Sequence, residues 1–323
     1  MVEFCWKKQI ALSQGLHKGA WQLKIFSSQE IEKATDSFDP DLILGFSAHS
    51  TIYKARIEGR LVAIETALEL EPKSELVDLS LTAASTAMVM NHDNMVKLYG
   101  CCLETVVPII VYEFVSYGSL FECLHGDIAC SKRIKWADCL RIAIDTAYAL
   151  SYMHNALSKP VVHRDVNSKS ILLDNSFHGT LSNFGYSVSI TPGKPPQRWP
   201  VKGTPGYIDP EHMETQEVTD KCDVYSVGVV MLELLTRRQP LLMARDGTDL
   251  VDLFVSAVRK NCMMEMIDNE VVQQASRDEI QQVAELALAC VAKKGAERPT
   301  MIDVVGELWS IQGRDMKWNR NCV

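Results

Sequence analysis

The chain has 323 residues, 47% of them apolar and 23% charged, with a formal net charge of −8. That composition supports folded cores rather than disorder, and an acidic chain without any long basic run is excluded from non-specific binding to nucleic acid or to an anionic membrane surface. Its ten cysteines are scattered singly apart from Cys101 and Cys102, with no C-x-x-C spacing, so reduced thiols are expected rather than a disulfide framework or a zinc site.

Taken in chain order, residues 1–36 read as a polar, mixed leader. The opening MVEFCWKKQIALSQG has charges where a signal peptide needs an apolar stretch, and no apolar run of about eighteen residues occurs anywhere. Val2 excludes myristoylation and leaves Cys5 as the one candidate for lipidation. A cytoplasmic protein is expected, with no membrane span and at most a peripheral place at the plasma membrane. Next, TIYKARIEG and RLVAIETAL flank a Glu58-Gly59 turn and predict a β-hairpin. PIIVYEFVSYGSL carries a buried-strand pattern that ends near Val115.

Beyond that point the texture becomes helical. Leu140, Ala143, Ile144, Ala147 and Leu150 recur at helical spacing, as do Ile280, Val283, Ala284, Ala287, Leu288 and Val291, the second stripe preceded by a Ser276/Glu279 capping box. VYSVGVVMLELL is apolar on all sides, which predicts a helix buried at the centre of its domain. The expected class is α+β: a leader (1–36), a small β-rich lobe (37–115), a larger helical lobe (116–313) and a short tail (314–323).

LGFSAHSTIYKA, VAIE, VVHRDVNSKSILLD, SNFG, GTPGYIDPE, DVYSVG and ERP follow one another along the chain. This series resembles the eukaryotic protein kinases over residues 37 to 312. FSSQEIEKATDSFDPDLILG and LYGCCLETVVPIIVYEFVSYGSL are similar to plant receptor-like kinases of the wall-associated and cytoplasmic types. The resemblance implies a bilobal kinase fold with remnants of a nucleotide pocket at Gly45, Ala63, Glu113 and Val115. It places Asp165 at the catalytic-base position, pairs Glu211 with Arg298, and has Asp223 brace the catalytic loop.

Phosphoryl transfer rests on positioning and charge neutralisation, so each departure from the family pattern removes a definable task. In the glycine-rich loop only Gly45 remains, with Ser47 and Ser50 at the next two positions. The strand lysine expected beside the nucleotide phosphates is Glu65. At about 4 Å and an effective dielectric near 20, a unit charge pair is worth roughly 4 kcal/mol, so reversing its sign disfavours a polyanion strongly. Lys54, one strand earlier, is the one candidate to reach across. The helix glutamate that would pair with the lysine is Ala83, counting back from Asn91. Two metal-ligand positions hold Asn183 and Ser170, and the lysine two residues after Asp165 is Asn167. No cofactor is expected to be required, with weak ATP binding at most and no magnesium.

Two surfaces stand out for partner binding. The segment after Phe184 carries Lys194, Arg198 and Lys202 around Trp199, suited to phosphate-like charge, and it holds Ser187, Ser189, Thr191 and Thr204 as candidates for modification. The other is the helix from about Leu76 to Met90, rich in small residues. A stripped kinase of wall-associated type resembles the HopZ-ETI-deficient-related pseudokinases. That resemblance implies an adaptor or decoy in plant innate immunity. It would link a coiled-coil leucine-rich-repeat NLR receptor to receptor-like cytoplasmic kinases modified, for example by uridylylation, by bacterial effectors. The alternatives are a nucleotide-binding allosteric regulator of an active kinase and a weakly active Ser/Thr kinase.

Overall fold

The computed structural model describes residues 23–47, 49–68, 74–126, 134–240 and 249–313. The leader before residue 23, with Cys5, and the tail 314–323 lie outside these. The described residues fold as two compact units: the first comprises those up to Asn91 together with Met95–Val115, and the second His92–Asn94 together with those from Ser116 onward.

The first unit is built on a six-stranded sheet in the order β1-β5-β6-β4-β3-β2. Its strands are β1 (Lys24–Phe26), β2 (Ile43–Phe46), β3 (Ser50–Ile57), β4 (Arg60–Ala67), β5 (Leu98–Cys102) and β6 (Ile109–Glu113). β3 and β4 form the predicted hairpin, with Ile57 opposite Arg60. Glu58 (φ 50°) and Gly59 (φ 82°) both adopt the left-handed conformation that a two-residue hairpin turn with the twist of its strands requires. Val62, Ile64, Cys102, Ile109 and Val111 form the core beneath the sheet. The helix Ser74–Val89 buries Leu76, Ala83, Ala84, Ala87 and Met88.

From residue 24 onward the expected leader is part of this unit. β1 pairs in parallel with β5, and Phe26 and Ile31 sit in the same core. The helix Ser28–Ala34 starts with a Ser27/Glu30 capping box, and Lys24 Nζ reaches Glu30 at 3.0 Å and Glu58 at 2.8 Å. The seat for β1 exists because residue 100 has no side chain. A Cβ on Gly100 would lie 1.9 Å from the Lys24 carbonyl oxygen and 2.8 Å from the Phe26 ring. A three-residue strand gives no period to read, so sequence pattern alone could not separate it from the polar residues before it.

The second unit is helical. Its centre is the helix Lys221–Thr236, in which every residue from Cys222 to Thr236 is buried, as expected from apolar residues on all its sides. Residues 140, 143, 144, 147 and 150 all face inward from the helix Trp136–Asn155. The helix Arg277–Cys290 has its Ser276/Glu279 capping box in place and buries Ile280, Val283, Ala284 and Ala287, while Leu288 is half-buried. Gly228 lets these helices approach closely, since a Cβ there would come within 2.7 Å of Val291 Cγ1 and 2.8 Å of Cys290 Cβ. Among the described residues no helix is long and apolar enough to cross a membrane, and Cys101, Cys102, Cys139, Cys222, Cys262 and Cys290 form no disulfide.

Candidate functional site

In the first unit the residues around Glu65 form a closed polar chain. Glu65 lies on β4 opposite Ile52 and is half-buried. Its Oε1 accepts from Ser50 Oγ at 2.7 Å, and the Ser50 and Ser47 hydroxyls are 2.6 Å apart. Ser47 Oγ also accepts from the backbone N–H groups of His49 (3.2 Å) and Ser50 (3.0 Å). The two serines that replace glycines thus tie the β2–β3 loop to Glu65. Burial pushes the Glu65 carboxyl above its ordinary value, with the Ser50 bond acting in the opposite direction.

Among the described residues no cation pairs with Glu65. Lys54 Nζ instead lies over the Phe114 ring, 4.8 Å from its centroid. Ala83 is 6% exposed in the interior. Gly45 has open space on its Cβ side, and Ala63 is half-buried opposite Lys54 and Tyr112. Glu113 Oε1 accepts from the Lys97 N–H at 2.8 Å, and Val115 is half-buried at the end of the unit.

The second unit holds the loop that contains Asp165. Asp223, fully buried, accepts from the backbone N–H groups of His163 and Arg164 and lies against His154 Nε2, each at 2.8 Å. This is the brace that the resemblance implies. Burial alone would raise the Asp223 carboxyl, but the bonds from His154 and His163 outweigh it and hold the group below its ordinary value. Phe184 is fully buried and meets the His163 ring edge-on at 5.4 Å.

Asp165 is 6% exposed, and neutral donors occupy both of its oxygens. Oδ1 accepts from Thr204 Oγ1 at 2.6 Å and from Asn167 Nδ2 at 3.1 Å; Oδ2 accepts from Asn183 Nδ2 at 2.7 Å. Burial raises its carboxyl above the ordinary value, opposed chiefly by the Thr204 bond. Asn183 sits in the left-handed region (φ 67°), which Asn tolerates better than most residues. Asn167 closes the loop on itself: Nδ2 also reaches the Asp165 carbonyl (2.9 Å) and Thr204 Oγ1 (3.0 Å), and Oδ1 accepts from the N–H of Lys169 (2.9 Å) and of Ser170 (3.2 Å). Ser170 Oγ donates to the Asn167 carbonyl at 2.9 Å and accepts from the Asn167 N–H at 3.0 Å.

Thr204 is therefore a structural partner of Asp165 and not a free hydroxyl, and Ser187 is buried. A second cluster had no sequence signal: fully buried Glu233 contacts His125 Nε2 (2.8 Å), Ser168 Oγ (2.8 Å) and Tyr207 Oη (2.6 Å).

The expected Glu211–Arg298 pair is replaced by another carboxylate. Arg298, 3% exposed, forks onto Asp209, NH1 to Oδ2 at 2.7 Å and NH2 to Oδ1 at 2.6 Å. Glu211 Oε2 accepts instead from the Gly295 N–H at 2.8 Å. Asp209 is the N-cap of the short helix Pro210–Thr215 and is buried, while Glu211, in the first turn, is half-buried.

The basic segment is a small ribbon, Gln197–Arg198 paired with Glu217–Val218, which puts Arg198 opposite Glu217. Trp199 is 36% exposed, with Arg164 lying 5.9 Å from its ring centroid. The Arg164 guanidinium donates to the carbonyls of Tyr186 (3.2 Å) and Pro200 (2.6 Å). Lys194 and Arg198 are exposed, and Lys202 is half-buried.

The family described as protein tyrosine and serine/threonine kinase matches residues 41–308. Three Arabidopsis thaliana proteins illustrate the similarity. Wall-associated receptor kinase-like 4 is 38% identical over 315 residues, which cover 96% of this chain and 40% of that protein. Wall-associated receptor kinase-like 1 is 41% identical over 293 residues, covering 90% and 40%. Putative wall-associated receptor kinase-like 16 is 37% identical over 298 residues, covering 92% and 68%. The chain thus spans about two fifths of the first two relatives and about two thirds of the third. It belongs to the protein tyrosine and serine/threonine kinase family and has wall-associated receptor kinases among its relatives.

Proposed function

We propose that this member of the kinase family transfers no phosphoryl group and works as an adaptor that holds other proteins. The observation that carries the reading is the neutral cage around Asp165, in which amide and hydroxyl donors stand where the family needs metal ligands and a cation. The residues present do not fit magnesium. A hard divalent cation takes oxygen ligands, preferably carboxylate. Here both Asp165 oxygens are engaged, Asn183 offers an N–H group toward them, and the Ser170 hydroxyl is spent within its own loop. Among the described residues no three His, Cys, Asp or Glu side chains are grouped to hold a metal ion. In the first unit, Glu65 puts a carboxyl where the phosphates of a nucleotide call for a cation.

The partner side of the proposal rests on the resemblance to HopZ-ETI-deficient-related pseudokinases: an NLR receptor on one face and effector-modified receptor-like cytoplasmic kinases on another, with the ribbon at Arg198 and Trp199 as the first surface to mutate. Thermal unfolding in millimolar ATP, with and without magnesium, tests the nucleotide half. A ligand present at 100 times its Kd stabilises by about 2.7 kcal/mol, so a bound nucleotide is readily seen. The unfolding midpoint is expected to stay unchanged in both conditions. A magnesium-dependent rise would overturn the reading, and a rise without metal would favour the allosteric nucleotide-binding alternative.

A further inference from the structure

We infer that the Asn183 side chain, a neutral donor built into the chain, holds the buried Asp165 carboxyl in place, so that the catalytic loop and the turn after Asn183 keep one arrangement without any metal. The disagreement between the donor set and a metal is the starting point. Asp165 is buried and has no positively charged side chain among its three side-chain donors, which are Asn167, Asn183 and Thr204. An ionised carboxylate accepts only, so whatever faces Oδ2 must present N–H or O–H. Asn183 does so at 2.7 Å, closer than Asn167, and bonds to a charged acceptor are the stronger ones.

The same residue begins the turn. Asn183 at φ 67° leads directly into the single 3-10 turn Phe184–Tyr186, and Phe184 is fully buried against His163. His163 is in turn fixed from both sides: its N–H donates to Asp223, and its Nε2 lies 2.9 Å from the Ser182 carbonyl oxygen. One amide therefore joins the end of the 182–186 segment to the Asp165 loop by a side-chain bond, alongside the backbone link from the Ser182 N–H to the Ser170 carbonyl at 2.8 Å. An aspartate at position 183 would face Asp165 with a second carboxylate. It would have to repel it or turn outward and leave Oδ2 without its donor; Asn183 is exposed on its outer side, so the second course is open. Either way the loop becomes dependent on an added cation.

The inference concerns conformation and does not depend on whether phosphate is transferred. Its test reads thermal unfolding of the whole chain in EDTA and in millimolar magnesium. The native protein is expected to give the same midpoint in both. Asn183→Asp is expected to fall by roughly 3 °C or more in EDTA and to recover in magnesium. The exchange Asp165→Asn/Asn183→Asp restores a donor facing an acceptor and is expected to recover in EDTA without any cation. Three results would overturn the inference: a native midpoint that rises with magnesium, an Asn183→Asp midpoint equal to the native one in EDTA, or a loss that neither magnesium nor the exchange recovers.

Discussion

Arg298→Ala is expected to destabilise the second unit by about 3–5 kcal/mol, because it strands a buried carboxylate and several backbone acceptors at once. Arg298 donates to Asp209 through two nitrogens, and also to the carbonyls of Ala292 (2.8 Å), Lys221 (2.9 Å) and Lys293 (3.3 Å). Asp209→Ala should cost a similar amount, since it leaves the guanidinium charged, buried and half-satisfied and also removes the N-cap bond to the Glu211 N–H. Glu211→Ala removes one acceptor from the Gly295 N–H and should cost only about 1–2 kcal/mol. Urea denaturation of the three variants ranks them. A Glu211→Ala loss as large as that of Arg298→Ala would contradict the pairing described here.

Asp223→Ala is expected to be comparably severe, about 3–5 kcal/mol, because three donors converge on a fully buried carboxylate and none has a substitute. Its pH dependence identifies the cause. The folded Asp223 carboxyl lies below its ordinary value, so its contribution is complete above about pH 4 and is lost as the pH falls through the folded value. Asp165 and Glu65 have the opposite sign: their raised values make the fold relatively more stable at low pH, and that advantage is lost as the pH rises through them. Denaturation curves at successive pH values should show the native protein losing stability below about pH 4, and Asp223→Ala should lose less over the same interval. Equal acid slopes for the two proteins would show that Asp223 is not an ionised acceptor.

Much of the helical unit, and the β3–β4 hairpin of the first unit, was legible because the information is local. The stripe of Leu140, Ala143, Ile144, Ala147 and Leu150 is a period, the capping box at Ser276 and Glu279 is a spacing, and the turn at Glu58 and Gly59 needs only the residues that tolerate positive φ. What was missed is non-local. β1 depends on the bare backbone of Gly100, which is far away in sequence. The choice between Asp209 and Glu211 as the partner of Arg298 turns on which carboxylate a short helix start points inward, and two acidic residues so close together do not reveal that in sequence. The replaced positions were themselves readable, since Glu65, Asn167, Ser170 and Asn183 stand within recognisable motifs. Their replacement partners were not: the hydroxyls of Ser50 and Thr204 acquire meaning only when the loops that carry them are folded against Glu65 and Asp165.

These contacts share one feature, in that groups expected to meet nucleotide or metal are satisfied by the chain itself. The measurement that tests this account most directly is a phosphoryl-transfer time course with purified protein, labelled ATP and magnesium, run beside Asp165→Ala on both autophosphorylation and a generic protein substrate. The account predicts no incorporation above the level of Asp165→Ala. Incorporation by the native chain that Asp165→Ala abolishes would contradict it.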